Sequence, residues 1–172
     1  SCLGAIRHKG FIPWDDDIDI AMMRDEYERF VELARGQFNN DTYFVQNYQS
    51  DPWMIPALTR LCIRKTYVDI KSEHHHKNCK NTYIDIFPLD NVPDNVELRK
   101  RHRNKLYIID RLILMKQFHL YRDSSIEYFV KMVVSLLLSI IPLSYLQKKR
   151  VSIMTQYRYK QTKNVCSTTS RY

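Results

Sequence analysis

At 172 residues the chain is long enough to bury a core of its own, and 44% hydrophobic against 27% charged residues excludes a disordered or low-complexity polymer. With 3 glycines and 6 prolines it has no long flexible linker, and no internal repeat is visible. The net charge of +8 points to an anionic partner, whether nucleotide, phosphorylated glycan, membrane surface or nucleic acid. Cys2, Cys62, Cys79 and Cys166 are scattered without a CxxC pair, which reads as reduced thiols in a cytosolic protein. The chain starts at Ser1 without a methionine and ends in a polar stretch, so both ends read as cut.

In chain order, FIPWDDDIDI (11–20) reads as a loop entering a short strand. From Asp17 onward acid and isoleucine alternate, which puts Asp17 and Asp19 on one face and Ile18 and Ile20 on the other, core-facing one. Tyr27, Phe30, Val31 and Ala34 follow helical spacing over about 24–35, and Gly36 sits where a C-terminal cap belongs. YFVQNYQ (43–49) and LTRLCIRKTYVDIK (58–71) read as strands, with SDPW as the turn between them. KNTYIDIFPLD (80–90) is another strand, expected to stop at Pro88, with Asp85 opposite Ile84 and Ile86. Asp94 is placed as an N-cap with Glu97 in capping-box position, for a helix running to about Phe118. A second helical segment covers roughly 126–141 and a third follows Pro142. The order predicts one mixed α/β (α+β) domain over 1–172, incomplete, with a sheet region in 1–95 and a mainly helical region in 96–172.

The chemistry concentrates in the acids. Asp15, Asp16, Asp17 and Asp19 repel one another unless cations compensate, and flanking isoleucines lower the local dielectric. Hard divalent cations relieve such a cluster, and Mg²⁺ typically takes one or two carboxylates plus substrate phosphates. Asp85, on a second strand with the same alternation, completes a candidate three-carboxylate metal site with Asp17 and Asp19. A solvated acidic turn before a helix accounts for Asp15 or Asp16, but not for the alternating pair or its echo at Asp85.

The stretch LGAIRHKGFIPWDDDIDIAMMRDEYERF resembles the signature of the LicD family, which includes the fukutin-related transferases. YIDIFPLDNVPD is similar to the family's second strand block, and the SDP turn and RLCIRKTY strand fit its layout. The resemblance is close over 1–95 and looser beyond. It implies a nucleotidyltransferase-like partial sheet with flanking helices and transfer of a phospho-alcohol from a CDP-activated donor to a glycan. That group is phosphocholine for bacterial members and ribitol phosphate for fukutin-related ones. It also implies Asp17 and Asp19 as the pair binding Mg²⁺ or Mn²⁺, and Asp85 as the third carboxylate, sharing a metal or taking the acceptor proton. Ser1 takes the small hydroxyl position beside the nucleotide phosphates. Arg7 and Lys9 read either as donor-phosphate ligands through charge-assisted hydrogen bonds or as loop surface charge.

Three further signals are blander than they look. HHHKNC (74–79) lacks zinc-ligand spacing and reads as an exposed loop. RKRHRNK (99–105) reads as a solvated helix face with secondary attraction to anionic lipid or polymer, not as a nucleic-acid site, because no aromatics interleave it. The 15 uncharged residues Met132–Leu146 would span about 22 Å as a helix, short of a bilayer, and read as a buried helix with a membrane-surface contact as the alternative. The combined expectation is a cytoplasmic enzyme, in one version at the inner face of the membrane. It would transfer phosphocholine to a glycan or lipid-linked glycan such as lipopolysaccharide or teichoic acid. The rivals are a true nucleotidyltransferase and a non-catalytic binding module of the same fold.

Overall fold

The ten-residue strand Tyr83–Val92 organises the sheet. A computed structural model describes residues 4–12, 18–67, 81–117, 136 and 138–167. Its elements are β1 (Asp19–Met23), α1 (Arg24–Phe38), β2 (Tyr43–Gln46), β3 (Thr59–Ile63), β4 (Tyr83–Val92), α2 (Val96–Gln117), α3 (Leu143–Met154) and β5 (Asn164–Cys166). The strand order is β1–β4–β3–β2, with β5 pairing the far end of β4. β1 runs parallel to β4; β2, β3 and β5 pair antiparallel to their neighbours.

Burial along β4 alternates with the pleat. Ile86, Pro88, Asp90 and Val92 are buried, while Asp85, Phe87, Leu89 and Asn91 on the other face are half-buried. α1 covers the Ile86 face through Tyr27 and Ala34, and the Tyr27 hydroxyl lies 2.6 Å from the Thr59 hydroxyl. α2 and α3 pack together through Ile113, Leu143 and Leu146, with the buried His102 Nε2 at 2.8 Å from the Ile153 carbonyl. α3 is tied to the β2–β3 connection, where Gln147 Nε2 donates to the Met54 carbonyl and Arg150 Nη1 to that of Ile55.

The mixed α/β class agrees with the sequence reading, and several local expectations are corrected. β4 does not stop at Pro88. Asp85 N–H points to β1, where it donates to the Ile18 carbonyl, so Pro88, three residues on, has its nitrogen on the β3 side. There β3 has already ended, at Thr59 opposite Ile86, and no donor is needed. Gly36 is not a cap, because α1 continues to Phe38, whose ring packs edge-on against Tyr43 with centroids 6.0 Å apart. Asn95, not Asp94, caps α2: its Oδ1 accepts from the Glu97 and Leu98 amides, while Asp94 accepts from Lys163 N and Asn164 Nδ2. β3 is shorter than expected and ends in a turn at Lys65, where φ is 61°. Ile18 and Ile20 are 50% and 39% exposed, because among the described residues β1 is an edge strand, paired with β4 alone. The helix expected over 126–141 and the histidine loop 74–79 lie outside the described residues, apart from a 3₁₀ turn at Leu138–Ile140.

Candidate active site

The parallel pairing of β1 with β4 sets Asp19 in register with Asp85. Adjacent strands lie about 4.8 Å apart, and register partners project from the same face, so the two carboxylates are neighbours on the half-open side of the sheet. β3 then aligns Arg60 with Asp85, and β2 aligns Gln46 with Arg60. A polar row Asp19–Asp85–Arg60–Gln46 therefore crosses four strands.

Within this row Arg60 Nε donates to Asp85 Oδ1 at 3.0 Å. The guanidinium is almost fully buried and sits 4.0 Å above the Tyr83 ring centroid, which fixes its plane. Gln46 is held by Asp51, to which its Nε2 donates at 2.9 Å. The positive charge of Arg60 offsets that of Asp85, while Asp19 sits exposed at the sheet edge.

Asp90, the other acid of the β4 motif, faces away from this row. It lies on the opposite side of the sheet, where Arg24 Nε and Nη2 reach its two carboxylate oxygens at 2.7 and 2.5 Å. Both side chains are buried, so the pair locks the start of α1 onto β4. The same side holds a cavity of about 480 Å³ between α1 and α3, lined among others by Arg35, Tyr48 and Arg150. Burial pushes the Arg150 guanidinium below its usual range, against the opposing effect of Asp110.

Of the residues singled out from sequence, Asp19 and Asp85 are thus brought together, and Asp17 and Ser1 lie outside the described residues. Arg7 belongs to a tight turn at Gly4–His8, and Lys9 follows it with φ 51°. Only glycine fits at position 4, since a Cβ there would meet the Gly10 carbonyl at 2.5 Å. Arg7 and Lys9 are exposed, and the structure records no contact of either with Asp19 or Asp85. Among the described residues no group of three or more His, Cys, Asp or Glu is assembled for a metal. The Asp19–Asp85 pair offers two carboxylates, the hard oxygen donors a divalent cation takes. Sequence reasoning missed Arg60; its one signal was a lone charge flanked by Leu58, Leu61 and Cys62 in a strand-forming run.

Comparison with known proteins now decides the family. Residues 1–113 match the family described as LicD/FKTN/FKRP, nucleotidyltransferase domain. The chain belongs to the LicD family. Over 107 residues it is 36% identical to the lipopolysaccharide cholinephosphotransferase LicD of Haemophilus influenzae, covering 59% of this chain and 38% of that protein. It is 34% identical over 93 residues to an uncharacterized protein of Rickettsia prowazekii, covering 54% of this chain and 31% of the relative. The LicD-like chain therefore spans about a third of the length of these curated relatives. No solved structure matches it.

Proposed function

We propose that the protein is a metal-dependent transferase that moves phosphocholine from a CDP-linked donor to a cell-surface glycan such as lipopolysaccharide or teichoic acid. The observation that carries this reading is the register of Asp19 with Asp85 inside a chain of the LicD family. The name of the Haemophilus influenzae relative, a lipopolysaccharide cholinephosphotransferase, supports phosphocholine and lipopolysaccharide as the transferred group and acceptor class. In this reading Asp17, Asp19 and Asp85 hold Mg²⁺ or Mn²⁺, and Ser1, Arg7 and Lys9 meet the donor phosphates.

The transfer exchanges one P–O bond for another. An acceptor hydroxyl attacks the phosphorus that bears choline, the bond to the CMP phosphate breaks, and the hydroxyl proton passes to a base. A bound divalent cation would neutralise the charge that grows on the departing CMP oxygens. The chain's own residues supply geometry: β1 and β4 hold two carboxylates side by side, and Arg60 donates to Asp85. A cytoplasmic setting with peripheral contact at the inner face of the membrane belongs to the same proposal; among the described residues no helix is long and apolar enough to cross a membrane.

The test is product analysis of the whole protein with CDP-choline, CDP-ribitol, CDP-glycerol and the nucleoside triphosphates as donors. CMP release with phosphocholine on the glycan supports the proposal. Pyrophosphate release from a nucleoside triphosphate would make the protein a nucleotidyltransferase instead, and no turnover with any donor would favour a binding module.

A further inference from the structure

Behind the α2–α3 core the two helices leave a groove of about 450 Å³, lined by Lys105, Ile108 and Ile109 of α2 and by Lys149, Ser152 and Ile153 of α3. Lys105 and Lys149 are exposed, and neither has a carboxylate partner among the described residues. Ile108 is 57% exposed, and on the same stripes lie Arg101, one turn before Lys105, and the 58% exposed Tyr145, one turn before Lys149.

Charge on this face has one sign. Its basic residues are Arg101 and Lys105 of α2 and Lys149 of α3, and α3 carries no acid. Glu97 is paired with Arg101, and Asp110 with the buried Arg150. What remains is basic residues beside the exposed apolar Ile108 and Tyr145. A soluble anion would use the lysines and leave Ile108 and Tyr145 in water. An anionic bilayer surface satisfies both, since phosphates meet the lysines while apolar side chains enter the acyl boundary.

We propose that this α2–α3 face docks on an anionic membrane, with the headgroup phosphate of an acidic phospholipid seated between Lys105 and Lys149 and its upper acyl chain against Ile108 and Ile153. The proposal deepens the membrane contact of the proposed function and rests on that reading for its biological purpose. Its test uses neither donor nor acceptor, so it can fail while the transfer reading stands.

The experiment is co-sedimentation of the full chain with vesicles of phosphatidylcholine alone and of phosphatidylcholine mixed with phosphatidylglycerol. Binding is expected only to the mixed vesicles, weakening with added salt. Replacing Lys105→Glu and Lys149→Glu together should weaken it by about thirtyfold or more, from about fivefold per lost basic residue. Ile108→Ser should weaken it as well. The control Arg29→Glu with Lys163→Glu changes the net charge equally at exposed positions outside the groove and should leave binding nearly intact. Equal weakening by the control pair would reduce the effect to net charge and overturn the site. Equal binding to both vesicle types, binding to neither, or displacement by inorganic phosphate at matched ionic strength would each overturn it too.

Discussion

Asp19 and Asp85 meet in register across the parallel β1–β4 pair, on the face of the sheet that α1 does not cover. Two carboxylates so placed repel each other, and their environments differ: Asp85 has the buried Arg60, whereas Asp19 stands at an exposed edge. Asp19→Asn should therefore leave the metal-free protein as stable as before or slightly more so. Asp85→Asn should destabilise it by about 3 kcal/mol, because the buried Arg60 loses a charged partner. Both should lower turnover by about a hundredfold or more, the scale of losing one charge-stabilising group. Calorimetry beside steady-state kinetics checks the pair; near-normal turnover in either variant would remove that residue from the site.

In the proposed site Arg60 acts through Asp85, as a positioning residue. Arg60→Gln should reduce metal affinity or kcat by about 10- to 100-fold, as loss of a partner behind a ligand does. Arg60→Lys should recover part of that, since it keeps the charge and loses the planar stacking over Tyr83. A titration of Mg²⁺ into each variant separates this role from a structural one: unchanged metal affinity with lowered stability would leave Arg60 as scaffold only.

The Arg24–Asp90 pair is the opposite case, buried and bidentate on the other face of the sheet. Asp90→Asn should cost about 3–5 kcal/mol by stranding a buried charge, and the double replacement Arg24→Met with Asp90→Leu should recover most of it. Chemical denaturation of the single and double variants measures this. Turnover per folded molecule should stay close to normal in the double variant.

Burial raises the Tyr27 hydroxyl above its ordinary value, against smaller opposing effects of its Thr59 hydrogen bond and Arg24. The folded state thus holds this proton more tightly than the unfolded chain does. Stability is unaffected below about pH 10 and falls as pH rises from there toward the raised folded value. Tyr27→Phe should cost about 1 kcal/mol at neutral pH through the lost hydrogen bond and flatten the decline above about pH 10. Unfolding free energies measured from neutral to alkaline pH give both numbers; an equally steep decline in the variant would assign it to other groups.

The acid/isoleucine alternation made Asp19 and Asp85 legible, because a period of two fixes which side chains share a face. Helical spacing likewise found Tyr27 and Ala34 as the buried side of α1. What escaped depends on pairing between distant segments. Nothing local to FPLD tells that Asp90 turns to Arg24 while Asp85 turns to the open face, except the parity that a strand continued through Pro88 imposes. That continuation depends on β3 ending opposite Ile86. Arg60 escaped for the same reason, since its partner comes from a strand 25 residues on. Gly36 misled because a contact between Phe38 and Tyr43 extends the helix past it.

The central claim is that the Asp19–Asp85 pair binds a divalent cation that in turn carries the donor's diphosphate. Isothermal titration of CDP-choline into the whole protein, with and without Mg²⁺, tests it most directly. Two phosphates and clustered carboxylates cannot share a cleft without cations between them, so binding should be measurable with Mg²⁺, vanish on chelation, and be lost in Asp19→Asn even with Mg²⁺. Equal affinity for CDP-choline with and without Mg²⁺ would contradict the account.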